Sequence, residues 1–247
     1  MPVKLVATVI TIAIGGSAGK EGPCAQIGAG TASFFARILN FDEVDRRKLV
    51  ICGISAGFAT VFGTPIAGAI FGVEVLFIGD ILYDVLLPSF ISAITAYEIS
   101  SFFGVPYLYA PTFTIPGISE LLLIKVVISG IVFGIMSVVL ITGLNSGRNL
   151  FDKFRLWPPF RAIIGGSFLV ILTLCFGKRY LGLGVQTISS ALNGDHIAWY
   201  TPLLKIVFTS ITLNFGGSGG IVTPIFFIGS TTGSVLGDIL NIDSSVL

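Results

Sequence analysis

Gly15-Gly16-Ser17-Ala18-Gly19-Lys20-Glu21-Gly22-Pro23 sets a Lys-Glu pair inside a glycine-rich break between two apolar runs. The stretch has a partner 201 positions further on, where Gly216-Gly217-Ser218-Gly219-Gly220-Ile221-Val222-Thr223-Pro224 repeats its frame without a gap. The match extends to both sides. Lys4, Val6, Thr8, Ile10 and Thr11 fall on Lys205, Val207, Thr209, Ile211 and Thr212, and Ile27, Gly28, Thr31 and Ser33 fall on Ile228, Gly229, Thr232 and Ser234. Fourteen of the thirty positions from 4 to 33 are identical, which marks a duplicated structural unit.

Composition names the solvent. Hydrophobic residues make up 53% of the 247 and charged residues 11%, and the mean hydropathy is +0.96. A soluble domain carries about 25% charged residues, so this chain is read as a membrane protein. Its 31 glycines suit helices packed closely in lipid. A net charge of +1 points to neither nucleic acid nor an acidic partner. Cys24, Cys52 and Cys175 lack CxxC spacing and read as inert buried thiols, not as a metal or disulfide framework. Met1-Pro2-Val3-Lys4 runs straight into a spanning pattern without a cleavage motif, so no signal peptide is read there.

Residues 3–14 are apolar but shorter than the ~20 residues of a full span. Residues 22–40 read as a second helix rich in small residues, with Pro23 suited to its first turn. Together they look like one span broken by glycines, with a helix N-terminus near mid-membrane. Broken helices at matching places in two halves point to a transport site. Residues 41–48 are a solvated loop and helix start, and 49–76 form two shorter helices broken at Gly63-Thr64-Pro65. Glu74 falls inside that apolar run, where an ionisable side chain needs a partner or a watery cavity.

A long apolar stretch runs from about 81 to 103, carrying Asp84, Pro88 and Glu98, and residues 105–118 are a linker between two halves, 1–104 and 119–247. Residues 119–144 can cross at a tilt. The segment 145–160, with its basic residues and Trp157, reads as a membrane-surface linker on the cytoplasmic side. Residues 161–177 form another apolar helix and 180–195 a short buried or re-entrant one, while 198–214 and 221–241 repeat the first two helices. Further helices follow the first copy and precede the second. If the halves are equal, the front of one and the back of the other fall outside the chain, so an internal or truncated piece is expected.

The glycine loops carry the chemistry. A helix N-terminus presents N–H groups without intrahelical partners and about half a positive charge, and it attracts anions. Glycines before it let the backbone approach the ion. Two such ends from opposite halves would build an anion site from backbone amides, with no full charge to prevent the ion from leaving. Glu21 stands beside the first set, where its carboxylate competes with an anion; protonation would free the site and couple passage to pH. A Walker loop is excluded, because GxxxxGK[ST] needs Gly where Ile14 stands and Ser or Thr where Glu21 stands. His196, the single histidine, is given no role. With no triad or metal cluster legible, neither an enzyme nor a cofactor is expected.

On these residues the chain resembles the CLC family of chloride channels and chloride/proton exchangers. Gly19-Lys20-Glu21-Gly22-Pro23 is similar to the family's G(K/R)EGP, and Gly220-Ile221-Val222-Thr223-Pro224 to its GxFxP, with Val222 for the usual Phe. The run from Ala56 to Gly68, AGFATVFGTPIAG, is similar to AGxAAxFxxPxAG, and Glu74 follows at the family spacing. The resemblance implies an all-α, polytopic membrane protein with two inverted repeats and broken helices. It further implies a homodimer with one pore per subunit, carrying chloride or related anions in the plasma (inner) membrane. By the same resemblance Glu21 is the gating glutamate, which blocks the pore from the extracellular side. The amides of Gly220, Ile221 and Val222 would hold the central anion, and those of Gly19, Lys20, Glu21 and Gly22 would face an outer site. Lys4 would lie near the inner part of the pathway.

Three departures bear on the mode of transport. The family's first anion loop, GSGIP, would precede Met1, and its pore tyrosine would follow Leu247. Exchangers carry an acidic residue directly after the position of Glu74, and here that residue is Val75, which cannot relay a proton. Channel-like conduction is therefore expected, with a proton-coupled antiporter using another acid, or a non-conducting truncated fragment, as alternatives. The choice among chloride, nitrate and fluoride is left open.

Overall fold

Glycine and proline place many of the helix ends. The computed structural model describes residues 2–76, 82–107, 119–153 and 157–240. Among them no strand forms, and the single β-type contact is an isolated antiparallel bridge between Gly19 and Gly220. The chain divides into two units, one of Met1–Thr8 with Lys20–Leu108 and the other of Val9–Gly19 with Tyr109–Leu247.

The first unit takes the opening turns of α1 (Pro2–Ala13) and all of α2 (Glu21–Ile38), α3 (Glu43–Phe62), α4 (Pro65–Glu74) and α5 (Tyr83–Phe102). The charged run at 41–48 starts α3, where the Asp42 carboxylate accepts from the Asp45 N–H at 2.7 Å. Gly63, at φ 71°, closes α3 in the left-handed conformation, and Pro65 opens α4, so the expected break is found. Helices α2 and α3 cross at Gly28 and Gly53, where a Cβ on either would run into the other's backbone carbonyl. Gly57 backs onto the Cys24 carbonyl in the same crossing, and Gly68 meets Ala59 where α4 packs on α3. Lipid gives apolar surfaces no reason to cluster, so close backbone approach is what holds such helices together. Ile51, Val73 and Val85 fill one core of the unit, and Ala59, Ala69 and Ala93 another.

The second unit contains α6 (Glu120–Lys153), α7 (Pro158–Phe176), a 3₁₀ turn (Lys178–Tyr180), α8 (Val185–Leu192), α9 (Thr201–Asn214) and α10 (Val222–Leu240). Helix α9 packs against α6, α7 and α10. Tyr180, Ile188, Phe208 and Phe227 form its main core, and Leu140, Ile206 and Ile228 a second. Basic side chains close two helix C-termini, where they meet the negative end of the dipole. Arg161 Nε donates to the Asn214 carbonyl at 2.8 Å, and Lys125 Nζ to that of Leu240 at 2.6 Å.

Two sequence expectations are corrected here. Helix α6 does not stop at 144: it runs through Lys153, so the first part of the supposed 145–160 linker is helical. Arg148 and Lys153 end the apolar run but are good helix formers, and Asn214 Nδ2 ties the Leu144 carbonyl to the end of α9 at 3.1 Å. Cys175 is exposed on α7, whereas Cys24 and Cys52 are half-buried. Most of the expected 105–118 linker, residues 108–118, lies outside the described residues.

Tyr83–Phe102, Glu120–Arg148 and Pro159–Phe176 are long and apolar enough to cross a bilayer. The last two bury only 11% and 6% of their apolar windows within the protein. Side chains such as Leu174, 82% exposed, therefore face outward, as apolar side chains do in lipid.

Candidate functional site

Helices α1 and α9 end alike. Gly15 N–H donates to the Ile12 carbonyl at 3.1 Å and Gly16 N–H to that of Thr11 at 2.8 Å. The equivalent bonds at the end of α9 are Gly216 to Leu213 at 3.5 Å and Gly217 to Thr212 at 2.9 Å. Both are Schellman caps, with Gly15 at φ 95° and Gly216 at φ 103°, a conformation that calls for glycine. Gly16 and Gly217 are required by space: a Cβ there would lie 2.7 Å from the Thr11 carbonyl oxygen and 2.6 Å from that of Thr212.

Beyond the caps the loops bond to each other, and each bond is returned by its repeat equivalent. Gly19 N–H donates to the Gly220 carbonyl at 2.8 Å, and Gly220 N–H to that of Gly19 at 2.7 Å. Ser17 N–H donates to Thr212 Oγ1 at 2.9 Å, and Ser218 N–H to Thr11 Oγ1 at 3.0 Å. Gly19 and Gly220 are the same position in the two copies, as are Ser17 and Ser218, and Thr11 and Thr212. A reciprocal exchange between equivalent groups requires a local twofold axis, so the loops are inverted copies. The Ser17 and Thr209 hydroxyls share a further bond at 3.1 Å, both side chains fully buried.

A helix starts directly after each half of the bridge. Helix α2 begins at Glu21, with Cys24 N–H bonded to the Lys20 carbonyl at 3.2 Å. Helix α10 begins at Val222, with Ile225 N–H bonded to the Ile221 carbonyl at 2.9 Å. Pro23 and Pro224 take the third helical position in each, where neither has an N–H to offer. The remaining first-turn donors are the amides of Glu21 and Gly22 in one helix and of Val222 and Thr223 in the other. Glu21 is 1% exposed, a buried carboxylate in the first turn of α2, where the helix dipole favours negative charge. Lys20 and Ile221 are exposed, Gly19 is buried, and Gly22, Gly220 and Val222 are half-buried.

The other expected residues lie apart from the loops. Lys4 is half-buried and lines a cleft of about 420 Å³ with Gln26, Ser33 and Val50 in the first unit. Glu74 is the last residue of α4, and both it and Val75 are exposed. His196 Nδ1 lies 2.7 Å from Asp238 Oδ2, a surface pair. A larger cleft of about 450 Å³ separates α7 from the glycine loops, lined by Gly165, Leu169, Thr173 and Phe215 among others. It faces the carboxyl ends of α1 and α9, whose carbonyls repel anions, and so is no candidate for the anion site.

Sequence reading passed over one residue. Lys205, the repeat equivalent of Lys4, is fully buried. Its Nζ donates to the carbonyls of Tyr180 at 3.1 Å and Gly182 at 2.9 Å, and it stands 4.9 Å from the Phe227 ring centroid. The match with Lys4 was the only signal for it in the sequence.

Outward-facing apolar helices and an inverted pair of glycine loops, each leading into a helix N-terminus, define a polytopic membrane protein of the broken-helix, inverted-repeat class. A family model described as "Voltage gated chloride channel" matches residues 1–246. The chain belongs to this family, the CLC chloride channels and their antiporter relatives. A "Chloride/fluoride channel protein" of Pseudomonas syringae pv. tomato is 34% identical over 254 aligned positions, covering 100% of this chain and 56% of that protein. The "Voltage-gated ClC-type chloride channel ClcB" of Shigella flexneri is 30% identical over 243 positions, covering 95% of this chain and 56% of that one. The crystal structure of a CLC-type fluoride/proton antiporter superposes with a TM-score of 0.90 at 33% identity, over 99% of this chain and 62% of that chain. The chain thus spans 56% of the length of these curated relatives.

Proposed function

We propose that the protein carries a small halide, chloride or fluoride, across the membrane through a path gated by Glu21. Backbone amides at the start of α10, those of Ile221 and Val222, would hold the anion; the Gly19 and Gly220 amides, expected from the sequence to face anions, are instead committed to each other's carbonyls. The amides of Lys20, Glu21 and Gly22 would face the outer site, which the Glu21 carboxylate occupies when no anion does. The observation that carries this reading is the reciprocal bond between Gly19 and Gly220, equivalent residues that each stand just before a helix N-terminus in the sequence. Lys4 is assigned to the inner part of the path. In this reading residues 1–104 and 119–247 belong to successive repeats, and the protein works as a homodimer in the plasma membrane.

Channel-like conduction is the first reading, because Val75 offers no acid at the position from which exchangers of this family deliver protons. Proton-coupled antiport is the second, favoured by the likeness to the fluoride/proton antiporter. Halide efflux from liposomes separates them. A channel dissipates a halide gradient passively at any proton gradient, whereas an antiporter drives halide uphill when one side is acidified. Absence of both chloride and fluoride flux overturns the transport reading.

A further inference from the structure

Lys205 brings an amine, cationic when protonated, into the interior of the second unit. Its three ammonium donors are matched by two backbone carbonyls, those of Tyr180 and Gly182, and by the face of the Phe227 ring. These satisfy hydrogen bonds but do not neutralise charge, since a carbonyl is a dipole and a ring face only a quadrupole. No carboxylate among the described residues pairs with it. A buried cation ordinarily recruits one. A residue needed only to tie the loop at Tyr180–Gly182 to α9 could have been a neutral donor.

The position of the charge suggests its use. Phe227 lies five residues beyond Val222 on α10, roughly 7.5 Å of helix rise from the start of that helix. With no exposed surface on Lys205 for salt to screen, the ammonium beside Phe227 adds to the field of the helix N-terminus. The two copies of the repeat differ on this point: Lys4 is half-buried beside a cleft, and Lys205 is sealed in.

We propose that Lys205 is a specificity-determining residue for the path described above, its ammonium form making the start of α10 prefer anions. It acts through the field and does not touch the ion. This rests on the anion-transport reading, and the test keeps the two apart.

The purified full chain in detergent is titrated with sodium chloride, and separately with sodium fluoride, by calorimetry, alongside Lys205→Arg, Lys205→Gln and Lys205→Met. Thermal unfolding of each variant is followed in parallel. Arg keeps charge and donors, Gln keeps donors only, and Met keeps neither. The expected result is an anion Kd weakened on the order of tenfold in both Gln and Met, with Arg within about threefold of the unsubstituted chain. Anion affinity in Lys205→Gln equal to that of the unsubstituted chain overturns the proposal and leaves the transport reading standing, because donors alone then suffice. Arg as weak as Gln overturns it too. A Met variant that fails to fold leaves the Gln and Arg comparison decisive, and failure of Gln as well, with Arg folded, assigns Lys205 to stability alone and overturns the proposal. An unsubstituted chain that binds neither halide overturns the transport reading and this one together.

Discussion

Gly19 and Gly220 stand 201 positions apart and each donates its N–H to the other's carbonyl oxygen, at 2.8 and 2.7 Å. Symmetric pairing of this kind belongs to twofold dimers, in which a patch meets its own copy. Here both copies lie in one chain, and the axis falls between two loops that each lead into a helix. The bond pair has two functions: it satisfies four backbone groups and sets the register of one loop against the other.

The loops should tolerate no side chain at Gly16 or Gly217. A Cβ would approach within 2.7 Å of the Thr11 carbonyl oxygen or 2.6 Å of that of Thr212. Gly217→Val is therefore expected to cost at least about 1–3 kcal/mol, read as a lower unfolding temperature in detergent. Gly130→Ala is the control, because nothing lies within 4 Å of the added methyl. It should leave stability unchanged or raise it by up to about 1 kcal/mol.

Thr212→Val preserves shape and removes the acceptor for the buried Ser17 N–H. Stranding that donor should cost about 1–3 kcal/mol, and Thr212→Ser should recover most of the loss. Equal unfolding temperatures for Thr212→Val and the unsubstituted chain would mean that the cross-bonds do not hold the loops.

Gly53→Leu is expected to separate α2 from α3, since even a Cβ there runs into the Gly28 carbonyl. The protein should lose its sharp elution peak in detergent, and halide flux should go with it. A monodisperse, active Gly53→Leu protein would contradict the close crossing.

The His196–Asp238 pair should contribute little. Its side chains are 88% and 43% exposed, and ion pairs in water stabilise by roughly 0–1 kcal/mol. Asp238→Asn should shift the unfolding temperature by no more than a degree or two; a larger drop would show that the pair clamps the α8–α9 loop to α10.

Much of this was legible in the sequence because glycine and proline act locally. Gly63-Thr64-Pro65 marked the break between α3 and α4, and the repeated GGS placed the caps of α1 and α9. The run through Lys153 was not legible, because a change from apolar to charged marks the edge of lipid and not the end of a helix. Lys205 was not legible as a buried group either. Its burial depends on carbonyls of Tyr180 and Gly182, more than twenty residues earlier, and nothing local to α9 distinguishes it from Lys4. The twofold relation of the loops appears only once Thr11 and Thr212 are seen to exchange partners.

The most direct test is the pH dependence of halide efflux from liposomes, compared between the unsubstituted chain and Glu21→Gln. With Glu21 as the gate, efflux of the unsubstituted chain rises as pH falls, because protonation discharges the carboxylate that competes with the anion. Glu21→Gln should then be open across the range, with most of that dependence gone. A Glu21→Gln protein whose efflux keeps the same pH profile would contradict the gate.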